Sequence, residues 1–87
     1  MRNNYRIEFN KKYLKDLEKI PSKMQKQISE KIRDLAFNPR PKGCKKLQGS
    51  HDLYRIRCGD YRVVYTIHDG VLLILIVEVG HRREIYR

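Results

Sequence analysis

Residues 53–79 contain three stretches that alternate in polarity or are rich in β-branched residues, and short turn sequences separate them. The stretches are LYRIRC at 53–58, YRVVYTIH at 61–68 and VLLILIVEV at 71–79. The connecting pairs, Gly59-Asp60 and Asp69-Gly70, are typical of tight turns between neighbouring antiparallel strands. Parallel strands need a crossover of about a dozen residues or more. The pattern therefore predicts a three-stranded antiparallel meander.

The N-terminal half predicts one strand followed by two helices. YRIEF at 5–9 alternates as a strand does. Asn10 suits the N-cap of a first helix, which Pro21 ends. Ser22 and Gln25 form a capping-box pattern for a second helix, which stops at the sequence NPRP. The apolar positions at helical spacing are Tyr13, Leu14, Leu17 and Ile20 in the first helix, and Met24, Ile28, Ile32, Leu35 and Ala36 in the second.

These elements together predict an α+β fold. The chain of 87 residues has the length of one domain, which we expect to span residues 1–87. The N-terminal strand, an antiparallel helix hairpin and the three-stranded antiparallel meander would form one sheet with the helices on one face. Residues 39–52 are expected to form a loop between the second helix and the meander.

The turn at Gly59-Asp60 determines which arginines face each other. A two-residue loop there pairs Arg57 with Arg62, and strand alternation then separates two faces. The predicted helix-facing residues are Tyr54, Ile56, Cys58, Tyr61, Val63 and Tyr65, and the opposite face carries Arg55, Arg57, Arg62 and Val64. Like charges directly opposite each other disfavour folding. A phosphate-binding cluster explains them, because the guanidinium fork matches phosphate oxygens. Alternatively, the stems pack over apolar surface and each head group finds a carboxylate.

The net charge favours a polyanionic partner. The chain has 20 lysines and arginines against 10 acidic residues, a formal charge of +10. Such an excess is typical of proteins that bind nucleic acid or an acidic surface, although it also serves solubility. Lys45 and Lys46 lie in the predicted loop with Arg40 and Lys42 and add to this basic charge.

A second polar cluster follows the last strand, in the sequence VEVGHRREIYR. In a meander the end of the last strand lies beside the start of the preceding one, so His81 and Arg82 are expected near Arg62. RNA cleavage by transesterification needs a base, an acid and cations that stabilise the phosphorane. These groups require no metal or other cofactor. No carboxylate set in the sequence suggests a metal site.

Two stretches resemble the RelE branch of the RelE/ParE toxin superfamily. They are KLQGSHDLYRIRCGDYRVVYTI at 46–67 and VGHRREIYR at 79–87, and the order of elements matches over essentially the whole chain. The resemblance implies a RelE-like, microbial-ribonuclease-like fold. It also implies the toxin of a type II toxin–antitoxin system. Such a toxin is a metal-independent endoribonuclease that cleaves mRNA in the ribosomal A site and leaves a 2′,3′-cyclic phosphate. Its partners would be the ribosome, mRNA and a cognate antitoxin from a neighbouring gene. Operator DNA would be bound only through the antitoxin complex.

The resemblance also implies roles for individual residues. Arg62 and Arg82 match positions that hold the scissile phosphate, and Tyr86 matches a tyrosine that stacks on or orients the nucleotide. Arg55 and Arg57 stand where relatives often carry lysines, one of them proposed as the general base. Arginine is a poor base because it stays protonated, so we expect both to act as phosphate clamps. The other RNA-binding candidates are Arg83, Lys45 and Lys46.

The departure from lysine leaves the proton-transfer group open. We expect His81, next to Arg82, or Tyr86 to take this role, since an imidazole near pKa 6.5 is suitably poised. Alternatively, His81 only hydrogen-bonds the substrate or acts as a spacer.

Two other functions remain open at this point. One is a ParE-like inhibitor of DNA gyrase, and the other is a non-catalytic RNA- or ribosome-binding module. The sequence MRNNYRIEF has no apolar region typical of a secretory signal. Cys44 and Cys58 form no metal-ligand pattern with the histidines. Free thiols in a chain without an export signal favour the cytosol, and the longest apolar run, VLLILIV at 71–77, is too short to span a bilayer. We therefore expect a cytoplasmic protein with no membrane association.

Overall fold

A computed structural model describes residues 4–47 and 52–83 of the chain. The elements are β1 (Arg6–Phe9), α1 (Lys11–Glu18), α2 (Ser22–Leu35), β2 (Lys45–Lys46), β3 (Leu53–Cys58), β4 (Tyr61–His68) and β5 (Leu73–His81). The strands form one five-stranded sheet in the order β1-β5-β4-β3-β2. This arrangement confirms the predicted α+β fold. No helix within the described ranges is long and apolar enough to cross a bilayer.

The sheet combines the predicted meander with two pairings at its edges. β3, β4 and β5 are antiparallel neighbours, as predicted. β1 instead runs parallel to β5, from Arg6 opposite Leu73 to Phe9 opposite Ile76, which places the last strand between β1 and β4. The expected loop at 39–52 contains the short strand β2, which pairs with β3. The backbone of β2 thereby pairs with N–H and C=O groups of β3 that would otherwise be exposed to water at the edge of the sheet.

The helix hairpin begins as predicted but is joined differently. The Asn10 side chain accepts a hydrogen bond from the Lys12 backbone N–H at 2.9 Å and caps α1. The predicted capping box of α2 is wrong, because Pro21 takes the N-cap position and Ser22 is already helical. The Gln25 amide instead donates to the carbonyls of Leu17 and Ile20, both at 2.8 Å. It thus joins α2 to the last turn of α1 at Leu17 and to the link between the helices at Ile20.

The connection between β4 and β5 is longer than the predicted two-residue turn. Residues Asp69–Val71 form a 3-10 turn, and Leu72 follows with φ 51, in the left-handed region. β5 therefore begins at Leu73 rather than at Val71. Asp69 accepts hydrogen bonds from Tyr5 and Arg40, which anchor the turn to the N-terminal strand and to the loop after α2.

The main core lies between the helices and one face of the sheet. Its buried residues are Tyr13, Ile20, Ile28, Ile32, Leu35, Ile56, Cys58, Val63, Tyr65, Ile67, Ile74, Ile76 and Val79. The predicted stripe of α2 is buried at its three central positions, whereas Leu14 of α1 is 49% exposed. Burying each large aliphatic side chain stabilises the fold by about 1.5–3 kcal/mol.

The other face of the sheet is only partly open. Leu47 and Val64 are buried there, and Leu53 and Val77 pack against them. A register shift between Val64 and Tyr65 opposes Val64 to Glu78 and Tyr65 to Ile76, so Val77 is the extra residue of a bulge. This small apolar cluster covers one end of the face. The arginines predicted for this face lie toward the other end.

Candidate active site

The β3–β4 hairpin brings three arginines together. Arg57 lies directly opposite Arg62, and Cys58 lies opposite Tyr61, so the predicted register is confirmed. Arg55 is two residues before Arg57 and therefore points to the same face. It lies opposite Val64, at the border of the small apolar cluster. The three guanidinium groups thus share one face of two adjacent strands.

The arginines repel one another in an environment partly withdrawn from water. Arg55 is only 8% exposed. Burial, and then the charges of Arg62 and Arg57, lower the pKa of its guanidinium below the ordinary value. The Arg62 Nε atom is buried and has no hydrogen-bond partner among the described residues. A buried donor without an acceptor is costly in a folded protein. An anion bound between the guanidinium groups would offset their repulsion.

The end of β5 completes this face of the site. Gly80 lies directly opposite Arg62, so no side chain occupies the position across from that guanidinium stem. The Arg82 backbone N–H donates to the Asp60 carbonyl at 2.8 Å and ties the end of β5 to the β3–β4 turn. The backbone at Arg82 thus lies beside the start of β4, as the meander predicted. The side chains of Arg82 and Arg83 are exposed.

His81 belongs to the opposite face of the sheet. It pairs with Tyr61, whereas Arg62 pairs with the preceding residue, Gly80. The two rings make an edge-to-face contact with 5.6 Å between their centroids. The His81 Nδ1 atom accepts a hydrogen bond from the Arg83 backbone N–H at 3.3 Å. The structure thus brings the backbone of His81 near Arg62 but not its side chain into the arginine cluster.

A polar pocket of about 250 Å³ lies between α1 and the end of β5, and His81 is one of the residues that line it. Lys12 of α1 forms ion pairs there with Asp16 at 2.9 Å and with the buried carboxylate of Glu78 at 3.3 Å. The hydrogen bond with Asp16 raises the pKa of Lys12 most. Asp16 also accepts from the Val79 backbone N–H at 3.4 Å. These contacts fasten the end of β5 to α1. No group of three or more potential metal ligands occurs within residues 4–47 and 52–83.

The remaining predicted residues divide between the two faces and the termini. Lys45 pairs with Arg55 and shares its face, whereas Lys46 pairs with Tyr54 and points to the helix side. Both lysines are exposed. Tyr86 lies outside the described residues.

Sequence reasoning overlooked the residues that fix the end of β5. Tyr61 holds His81 through a ring contact, and the Asp60 carbonyl holds Arg82 through a backbone hydrogen bond. Gly80 occupies the position across from Arg62. The signal was present in strand alternation. The register of β4 with β5 pairs Gly80 with Arg62 and therefore places Gly80 on the arginine face. Because side chains alternate along a strand, His81 then lies on the other face.

Comparisons with known proteins agree with this architecture. Residues 7–86 match the model of a family described as ParE toxin of type II toxin-antitoxin system, parDE. The chain is 31% identical over 86 residues to the mRNA interferase toxin RelE of Escherichia coli (strain K12), covering 94% of this chain and 90% of that protein. It is 32% identical over 85 residues to toxin RelE3 of Methanocaldococcus jannaschii, covering 93% of this chain and 94% of that protein.

The solved structures show the same fold. The archaeal RelE-RelB complex from Pyrococcus horikoshii OT3 contains a chain that matches with a TM-score of 0.82 and 31% identity. The match covers 94% of the present chain and 99% of that chain. The resemblance seen in the sequence is therefore confirmed. The chain belongs to the RelE/ParE superfamily of type II toxin–antitoxin toxins, in its RelE-like branch.

Proposed function

We propose that this toxin is a ribosome-dependent, metal-independent endoribonuclease that cleaves mRNA in the ribosomal A site. The observation that carries the proposal is the pairing of Arg57 with Arg62, beside a buried Arg62 Nε that has no acceptor among the described residues. Folding alone gives no reason for two like charges at paired positions. A phosphate group would accept from these donors and neutralise them.

The chemistry is a transesterification within the RNA. The 2′-oxygen attacks the adjacent phosphorus, the bond to the 5′-oxygen breaks, and a 2′,3′-cyclic phosphate remains. Negative charge grows on the non-bridging oxygens during this step, so fixed cations stabilise the transition state more than the ground state. Arg62 and Arg82 would hold the scissile phosphate, with Arg55 and Arg57 as flanking clamps. Arg83 and Lys45 would bind neighbouring phosphates, and Lys46 would extend the basic edge.

Proton transfer needs a group other than these arginines, which stay protonated. Tyr86 is the candidate that we favour for this role, because the His81 side chain belongs to the opposite face from Arg62. Tyr86→Phe keeps the ring for stacking and removes the hydroxyl. It should lower single-turnover cleavage by about 10²-fold or more. Retention of nearly full activity would assign the proton transfer elsewhere.

The ribosome would supply what the isolated site lacks. A site with strong electrostatic clamps but a weak base depends on an RNA held with the attacking and leaving oxygens in line. The exposed outer face of α2, with Lys23, Lys26, Lys31 and Arg33, would dock on ribosomal RNA through phosphate contacts. Such docking should weaken steeply with added salt. Affinity that hardly changes with salt would contradict this part of the proposal.

The relatives suggest the protein partner. The Pyrococcus horikoshii toxin was solved as a RelE-RelB complex. We propose that this chain likewise binds a cognate antitoxin encoded by a neighbouring gene. Operator DNA would be contacted only through that complex.

The test is primer extension on a defined mRNA, with and without programmed ribosomes and with EDTA present. We expect cuts within codons only when ribosomes are present, and no effect of the chelator. Arg62→Ala should reduce cleavage by about 10²-fold or more and leave most ribosome binding intact. Arg6→Ala, on the edge strand β1, removes an exposed arginine that has no assigned role. It is the matched control and should retain cleavage.

Two outcomes would overturn the assignment. If the wild-type protein arrests growth but leaves mRNA intact, the ParE-like alternative is tested by a gyrase supercoiling assay. This alternative is retained because the matching family is described as ParE toxin. If the wild-type protein binds ribosomes but neither cuts RNA nor inhibits gyrase, it is a non-catalytic binding module.

A further inference from the structure

We propose that His81 is a positioning residue, which holds the turn that presents Arg82 to the substrate and does not itself transfer the proton. This inference rests on the proposed function and concerns the same site. It follows from the strand register, the contacts of the imidazole ring and the hydrogen bond at its Nδ1 atom.

The end of β5 is held at three consecutive residues. The His81 ring packs edge-on against Tyr61, at an interplanar angle of 80°. The Arg82 backbone N–H donates to the Asp60 carbonyl, and the Arg83 backbone N–H donates to the His81 Nδ1. Each contact fixes the backbone on one side of Arg82 or at Arg82 itself. The imidazole ring therefore makes two of the three contacts that fix the backbone from which the Arg82 side chain extends.

The hydrogen bond at Nδ1 also determines where the ring proton lies. Arg83 donates its N–H to Nδ1, so the neutral imidazole carries its proton on Nε2. The basic lone pair is then occupied by the backbone. In addition, the ring shares the face of Tyr61, whereas the phosphate clamp shares the face of Arg62. The first fact leaves no free basic nitrogen at Nδ1, and the second places the ring on the other face from a 2′-hydroxyl bound among the arginines.

An asparagine at this position distinguishes the two roles. The Asn Oδ1 atom readily accepts from the backbone N–H two residues ahead, in an Asx turn. His81→Asn therefore keeps the acceptor for Arg83 but has neither the basic nitrogen nor the ring that contacts Tyr61, so it tests the hydrogen bond at Nδ1 as the main part of the positioning role. His81→Ala removes both the acceptor and the contact with Tyr61. His68→Ala, at the exposed opposite end of the β4–β5 ladder, is a matched control for the loss of an imidazole.

The first measurement is single-turnover cleavage of mRNA on saturating programmed ribosomes. We expect His81→Asn to stay within about threefold of the wild type and His81→Ala to lose about tenfold or more, because small displacements of a catalytic group are costly. His68→Ala should cleave like the wild type. Equal losses in His81→Asn and His81→Ala would overturn the positioning role. So would full activity in His81→Ala.

The second measurement does not depend on cleavage. Amide hydrogen exchange at Arg83 should be slow in the wild type and in His81→Asn, and faster in His81→Ala. Unchanged exchange in His81→Ala would overturn the inference even if cleavage falls. Conversely, wild-type protein that cuts no mRNA would refute the proposed function. The exchange rates would still report whether the imidazole holds the turn.

Discussion

Replacing Arg62 by methionine should make the protein more stable and less active. The substitution removes the charge opposite Arg57 and the buried Nε donor that has no acceptor among the described residues. It keeps a long apolar stem, which packs much as the arginine stem does. A like-charge pair at directly opposed strand positions costs about 0.2–1 kcal/mol, and an unsatisfied buried donor costs about 1–3 kcal/mol. If the substitution recovers part of each of these two costs, the free energy of unfolding should rise by about 1 kcal/mol.

Thermal unfolding followed by circular dichroism measures this gain. In a domain of this size 1 kcal/mol corresponds to a rise in Tm of about 4–8 °C. Added salt should reduce the difference between Arg62→Met and the wild type, because it screens the repulsion in the wild-type protein. Arg33→Met on the exposed face of α2 removes the same charge without relieving a pair and should leave Tm within about 2 °C. An Arg62→Met protein that melts at or below the control would refute the reasoning.

Three further predictions concern the contacts that hold the fold together. Tyr65→Phe removes the hydroxyl that donates to the Pro39 carbonyl at 2.8 Å, and urea unfolding should show a loss of about 1 kcal/mol with an unchanged m-value; a neutral result would mean that water replaces the bond. Gln25→Ala removes both amide bonds, to Leu17 in α1 and to Ile20 after it, and should lower the free energy of unfolding by about 1–2 kcal/mol. Gln27→Ala on the exposed side of α2 should cost less than about 0.5 kcal/mol. Hydrogen bonds from Arg40 and then Tyr5 lower the pKa of Asp69, so its stabilising contribution is complete above the ordinary value near 3.9 and is lost as the pH falls through the lowered one. The difference in Tm between the wild type and Asp69→Asn should therefore shrink as the pH falls from neutral to below the ordinary pKa of an aspartate. A constant difference would contradict this.

The sheet could be predicted where a local rule determines the geometry. A two-residue turn and a side-chain period of two fix the register of a hairpin completely. For this reason the pairing of Arg57 with Arg62 and the helix-facing position of Val63 follow from the sequence. The parallel pairing of β1 with β5 has no such local signal, because it joins the two ends of the chain.

The errors arose where tertiary contacts compete with a local pattern. Ser22 and Gln25 satisfy the capping-box spacing, but the Gln25 amide donates to the carbonyls of Leu17 and Ile20, at and just after the end of the preceding helix. His81 follows a strand that ends near Arg62, yet its own side chain belongs to the other face. Two backbone segments can therefore be neighbours in a sheet while their side chains point to opposite faces. The role of Tyr86 stays a prediction.

The parallel pairing of β1 with β5 also affects the order in which the chain folds. The β3–β4 hairpin closes a very short loop and is expected to form early. β1 has no sheet neighbour until β5 is in place, and this pairing closes a loop of nearly the whole chain. β5 also brings Gly80 and Arg82 to the candidate site. During synthesis, the strand that completes the sheet is the last to emerge, so we expect a nascent chain to lack a working site until the sheet closes.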